Sequence, residues 1–309
     1  MPPSAPLFER AAAAPLVSRG LPLVIALTGF TDAGAAVAQV IAHMRTELEP
    51  TPLAVFDNDI LLDYRARRPM ITFDGEQISD YRPARLEFSL VHDAVGQPFL
   101  LLAGYEPDFV WEEFARTILR LADEYEVSSV TWLHAIPMPV PHTRPIGTTV
   151  SGTRLQLTAA HSVWRPHTQV PGTIGHLLEY RFAEAGVPVA GFVLLVPHYL
   201  GDTEYPAATL AALDSVTAAT GLVFDGDDLR TQNREFLQRV AEQIDENEEL
   251  GRMLKGLEDR YDAYMAGSTV AAPMVHTGDL PSADELAAEL ERFLASRPGD
   301  EDKRGGALG

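Results

Sequence analysis

The chain reads as an α/β protein: a three-layer α/β/α sandwich with a mixed sheet, followed by a C-terminal helical hairpin. Three observations predict this. Short apolar runs alternate with amphipathic helical stretches between residues 22 and 221. One pair of runs is joined by the turn Asp93-Ala-Val-Gly-Gln97, which makes a hairpin and therefore a sheet that is not purely parallel. Beyond residue 225 the strand pattern stops, and the stretch Asp225 to Met265 carries 12 acidic against 6 basic residues on a helical period.

Taken in order, Pro22–Leu27 is a buried strand that enters the turn Thr28–Gly34, and Val37, Val40, Ile41, Met44 and Leu48 then line one face of a helix. Pro52–Phe56 is a second strand with Asp57–Asp63 at its end. Leu86–Val91 and Pro98–Gly104 are the arms of the hairpin. Asp108 is placed to cap a helix whose apolar stripe is Trp111, Phe114, Ile118, Leu121 and Tyr125. Val127–Leu133 is a β-branched strand expected to stop at a ribbon from His134 to Pro145, stiffened by Pro137, Pro139, Pro141 and Pro145.

Gly147–Thr158 alternates as a strand would, and Thr173–Ala185 is a helix stopped by Gly186. Val187–Val196 is a third long strand ending in Pro197-His-Tyr199, and Pro206–Thr220 is a helix closed by Gly221. A helical hairpin broken near Asn247 follows, and Ser282-Ala-Asp-Glu285 is a capping box opening a last helix with Leu286, Leu290, Phe293 and Leu294 inward. The expected organisation is a main domain over 20–224, a helical hairpin and final helix over 225–296 packing on the main domain or a neighbouring subunit, and a disordered tail over 297–309.

Composition narrows the function. A net charge of −20 opposes a phosphate backbone, so no nucleic-acid partner is expected. No secretory leader or uninterrupted apolar span occurs, so no membrane partner and a cytoplasmic location are expected. The chain has no cysteine, which removes thiolate chemistry and disulfides, and its two lysines, Lys255 and Lys303, both lie outside the main domain.

The loops that follow the strands supply the candidate cleft: Thr31, Asp32, Asp57, Asp59, His134, His142, Thr143, Arg144 and His198. Several have a plainer role beside them, a solvated loop in the case of His142 and Arg144. Asp32 caps a helix, Asp57, Asp59 and Asp63 are turn acids beside Arg65, Arg67 and Arg68, and His134 is a satisfied core histidine. No metal is expected, because His134 and His142 stand eight residues apart and His161 and His167 six apart, neither being helical ligand spacing. No catalytic residue and no cofactor is identifiable from the residues, and a Gly-x-Ser-x-Gly elbow is absent.

The segments Gly29-Phe-Thr-Asp-Ala-Gly34, Phe56-Asp-Asn-Asp59 with Tyr64 and Pro69, and above all His134-Ala-Ile-Pro-Met-Pro-Val-Pro-His-Thr-Arg-Pro145 resemble the proteasome assembly chaperone 2 family in its bacterial branch. The resemblance runs from about Pro22 to the helical hairpin. It implies a phosphorylase/hydrolase-like sandwich, self-association with a homotrimer favoured, proteasome subunits as partners, and a binding rather than an enzymatic role. It also carries an ATP-grasp-like label. Against that label, ATP-dependent carboxylate–amine ligases hold phosphates with lysines, which the main domain lacks. Archaeal relatives end in a hydrophobic residue, tyrosine and one more residue, whereas this sequence ends Gly306-Ala-Leu-Gly309. The alternative is a small-molecule binder or an enzyme, ligase-like or hydrolase-like, using the same strand-end loops.

Overall fold

The computed structural model describes residues 6–12, 16–164 and 167–267. In chain order the elements are β1 (Phe8–Arg10), β2 (Pro22–Thr28), α1 (Ala36–Leu48), β3 (Thr51–Phe56), α2 (Asn58–Leu61), β4 (Met70–Asp74), β5 (Gln77–Arg82), β6 (Glu87–His92), β7 (Pro98–Tyr105) and α3 (Trp111–Glu124). They continue with β8 (Ser129–Met138), β9 (Gly147–Gly152), α4 (Leu155–His161), α5 (Ile174–Glu184), β10 (Val189–Pro197), α6 (Pro206–Thr220), α7 (Asp227–Asp245) and α8 (Glu248–Met265). The predicted capping box at Ser282 and the tail beyond Arg297 lie outside the described residues.

Eight strands form one sheet in the order β1-β3-β6-β7-β2-β8-β10-β9. β2, β7, β8 and β10 pair in parallel, while β1, β6 and β9 run against their neighbours, so β2, β3, β7, β8 and β10 all point one way. The sheet is mixed, as the hairpin turn predicts. The two-residue period of a strand then sorts side chains to two cores. Val24 and Ala26 of β2, Leu133 and Ala135 of β8, and Phe192 and Leu194 of β10 face α1, α6 and α7. Leu23, Ile25 and Leu27, with Val130, Trp132 and Val189, face α3 and α5. Two covered faces make the three layers.

Three expectations change, and one ribbon is added. β8 does not stop at Leu133 but pairs with β10 as far as Met138. β2 leaves β8 after Ala26 opposite Leu133, with one further bridge from Asp32 to Ala135, so Pro137 lies where no strand on that side needs its missing N–H. The alternating stretch from Gly147 is a strand only to Gly152, where a φ of +105° turns the chain into the short helix α4. Asp108 does not cap α3, whose N-cap is Val110; its carboxylate instead pairs with Arg67 and accepts the Asp63 N–H at 2.6 Å. The ribbon formed by β4 and β5 has no period a sequence reading registers, since both strands are exposed on both faces. It pairs its ends, Met70 with Arg82, and shows Met70, Phe73, Ile78 and Tyr81 to solvent.

Candidate functional site

Because five strands end at the same edge, the loops after β2, β3, β7, β8 and β10 meet along one rim, the edge where ligands bind open α/β sheets. The nine candidate residues divide along it. β3 stands four places from β8 in the sheet, so Asp57 and Asp59 lie about 19 Å from the His134 strand at ~4.8 Å per strand. They do not join the histidines. The Asp57 carboxylate accepts the Asp59 N–H at 2.8 Å and caps α2.

The centre of the rim is a buried polar cluster. Thr31 Oγ1 lies 3.1 Å from His134 Nε2, and His134 is 7 % exposed. Burial, with nearby His176 adding to it, pushes the His134 imidazole down to about 4, so it is neutral at physiological pH. Beside it the Trp132 ring stacks edge-on to His176 at 4.9 Å and donates its indole N–H to Glu179 at 2.7 Å. The Ser151 hydroxyl donates to that same oxygen at 2.7 Å. His176 Nδ1 accepts the Thr173 N–H at 3.1 Å and lies 2.8 Å from its hydroxyl, which assigns the ring proton to Nε2. Burial lowers the His176 pKa, and Glu179 and Glu106 oppose it.

Glu106, immediately after β7, closes the cluster from below. Its Oε1 accepts the Ile174 N–H at 2.5 Å at the start of α5, and its Oε2 accepts the Phe30 N–H at 3.2 Å. A helix N-terminus that would attract an anion is thus already neutralised by the chain's own carboxylate. What remains is a cavity of about 10 Å3 between Gly29, Glu106, Trp132, His134 and Thr173, room for one water.

Asp32 turns away from this cavity. Its carboxylate accepts the N–H groups of Val37 at 2.8 Å and Ala38 at 2.9 Å, satisfying orphan donors of α1. Burial raises its pKa and those two amides work against the rise.

The proline ribbon lies on the far flank, toward β10. His142 donates its backbone N–H to the Tyr199 hydroxyl at 2.8 Å, and its Nδ1 lies 2.7 Å from the same oxygen. Burial raises the Tyr199 pKa, so its O–H persists and donates to Nδ1. Burial lowers the His142 pKa and Glu258 opposes it. His198, also half-buried, stacks edge-on to Tyr199. Beyond this anchor the ribbon meets α8. Arg144 forms a two-pronged pair with Asp262, Nε to Oδ1 at 2.8 Å and Nη2 to Oδ2 at 2.7 Å, and Thr143 Oγ1 donates to Glu258 at 2.5 Å.

Thr31 with His134, and His142 with Thr143, Arg144 and His198, are therefore each brought together, while Asp32 and Asp57 serve local backbone and the Asp59 carboxylate meets Tyr64. Glu106, His176, Glu179 and Tyr199 escape the sequence reading. Position alone could have flagged Glu106, a carboxylate directly after a buried strand. Among the described residues no three or more His, Asp or Glu side chains gather as they would around a metal ion. Chemically the centre offers a neutral imidazole against a hydroxyl in a space too small for an organic substrate, and the flank offers a guanidinium fork that reads carboxylates.

Comparison with known proteins places this architecture. The model of the PAC2 family matches residues 26–244. A protein of unknown function from Mycobacterium tuberculosis is 38 % identical, with a TM-score of 0.79 over 84 % of this chain and 90 % of its own. One from Corynebacterium glutamicum is 32 % identical, with a TM-score of 0.81 over 84 % and 98 %. The proteasome-assembly chaperone homologue of Mycobacterium tuberculosis shares the fold at 24 % identity, with a TM-score of 0.68 over 76 % of this chain and 100 % of its own. A search of the curated proteins found no match.

Proposed function

The chain belongs to the PAC2 family, and from that premise we propose that it is a protein-binding factor of the proteasome-assembly-chaperone kind, acting as a homo-oligomer, a trimer, without catalysing a reaction. Its partners are proteasome subunits and its own copies, met through the strand-end rim and the helical hairpin. The observation that carries this is the filled centre of the rim. Where a phosphorylase-like or ligase-like protein needs room for substrate, Glu106 occupies the amides of Phe30 and Ile174 and leaves about 10 Å3. The flank, in contrast, is a rigid, partly exposed ribbon with polar heads, which suits recognition of a protein surface. The chaperone homologue from Mycobacterium tuberculosis has the same fold and supports the assignment by analogy.

Affinity purification of the full chain from its native cell, at low and at moderate salt, is expected to recover proteasome subunits, and light scattering is expected to give three times the chain mass. Repeated recovery of none, or a monomer at micromolar concentration, refutes the respective half of the proposal. The alternative, an enzyme or small-molecule binder at the same rim, draws on the Thr31 hydroxyl lying 3.1 Å from a neutral imidazole. Thermal-shift measurement against nucleotides, divalent cations and esters tests it. A ligand at about 100 times its Kd adds roughly 2.7 kcal/mol, and a shift of that size replaces the first reading with the second.

A further inference from the structure

Helix α8 is held to the rest of the molecule in an unusual way. Leu257 is its one fully buried residue, with Leu250, Met253, Leu254 and Tyr261 only half-buried, and its ties to the ribbon and the loop after α4 are polar: Asp262 and Glu258 to Arg144, Glu258 to Thr143, and the Tyr264 hydroxyl to the Val163 carbonyl at 2.9 Å. The helix is also weak by itself. Gly251 and Gly256 sit in its interior although a Cβ at either would meet nothing within 4 Å, so no packing demands glycine there. Each glycine lowers helix formation about fivefold relative to alanine.

The ribbon beneath α8 is the opposite. Its shape is set by four prolines and by the hydrogen bonds of His142 to Tyr199, in which no atom of α8 is a donor or acceptor. A preformed, rigid receptor thus carries a weak, detachable occupant. What the receptor reads is specific: Glu258 and Asp262 are four residues apart, on one face of the helix, and meet a hydroxyl and a guanidinium fork. Arg260, on the same helix, lies close enough to His198 for its charge to act on that ring.

We propose that the ribbon Val140–Arg144 is a docking site for a partner protein's helix bearing two carboxylates one turn apart, and that α8 is the resident competitor that such a helix displaces. The proposal names the partner chemistry for the protein-binding role above and rests on that reading. Selection is by geometry and not by bulk charge, because a chain of net charge −20 repels an indiscriminately acidic partner. The tethered α8 competes at an effective concentration on the order of millimolar, so the partner gains access in proportion to the open fraction.

The test uses the full chain and a fluorescein-labelled synthetic peptide of residues 248–265 carrying G251A and G256A, read by anisotropy. The double variant E258Q/D262N is expected to bind it at least about tenfold more tightly than the wild type, since the resident arm no longer competes. Adding R144M to that variant is expected to reduce binding to that of a scrambled peptide. The reverse variant, G251A/G256A, tightens the arm and is expected to bind more weakly than the wild type.

Hydrogen exchange accompanies each measurement, with protected sheet amides confirming the fold and fast exchange over 248–265 confirming an open arm. Equal binding by wild type and E258Q/D262N with the sheet protected overturns the proposal, as does binding that survives R144M. Should E258Q/D262N fail to fold, equal binding by wild type and G251A/G256A overturns it instead. None of these outcomes depends on whether proteasome subunits co-purify, so failure here and failure of the assembly role are told apart.

Discussion

Replacing Glu106 by alanine removes the acceptor that two backbone amides share. The Ile174 N–H is buried, and an orphaned buried donor costs about 1–3 kcal/mol. The Phe30 N–H is only partly buried and can turn to water, so it adds about 1 kcal/mol at most. The expected loss is thus about 1–4 kcal/mol in urea unfolding followed by tryptophan fluorescence near pH 7.5, or roughly 2–16 °C in Tm at ~2–4 °C per kcal/mol. Glu106→Gln keeps one acceptor and is expected to lose less.

The vacated position is a helix N-terminus open to anions, so acetate at about 100 times its Kd is expected to return roughly 2.7 kcal/mol to the alanine variant and nothing to the wild type. A loss under about 0.5 kcal/mol, within the range of an ordinary surface substitution, refutes the assignment of Glu106 as an internal counter-ion. Recovery no greater with acetate than with an equal concentration of chloride does the same.

Three further outcomes are expected. A Cβ at Gly191 overlaps Trp132 Nε1 and falls 2.6 Å from Glu179 Oε2, so Gly191→Ala is expected to lower stability by about 1–3 kcal/mol in the same assay, while Gly172→Ala, with nothing within 4 Å, leaves it within ~0.5 kcal/mol. His134 has its folded pKa lowered to about 4; above pH 6.5 it is neutral folded or unfolded, and as pH falls from 6.5 toward 4 only the unfolded chain takes the proton, so stability is lost across that window and levels off below it. The loss is on the order of 3 kcal/mol, and the pH profile of a His134→Gln variant is expected to be flatter by that amount. Tyr199→Phe leaves the His142 amide without its acceptor, and exchange of that amide is expected to quicken while strands β2 and β8 keep their protection.

The layered sheet was legible because its strands are buried on both faces or joined by a short turn, and periodicity records burial. Trp132 and Leu133 on β8 show this: one faces α5, the other α1, as alternation dictates. The β4–β5 ribbon was invisible for the same reason, since Phe73 and Ile78 face solvent and leave no pattern. At the rim, the sequence located the loops but not their partners. That Arg144 meets Asp262, 118 residues later, depends on where α8 returns, and no local spacing encodes that. Asp108 misled because a carboxylate before a helix has the look of a cap, while Arg67, distant in sequence, competes for it.

The exposed two-stranded ribbon has a practical corollary. Its first and last residues, Met70 and Arg82, are cross-strand neighbours, so their Cα atoms stand about 5 Å apart and a one- or two-residue splice spans the gap. Among the described residues, the exposed apolar side chains Met70, Ile71, Phe73, Ile78 and Tyr81 sit together on a segment that contributes to neither core. A shortened version should stay folded and grow more tractable at high concentration, and any cellular role that vanishes with it belongs to those thirteen residues alone.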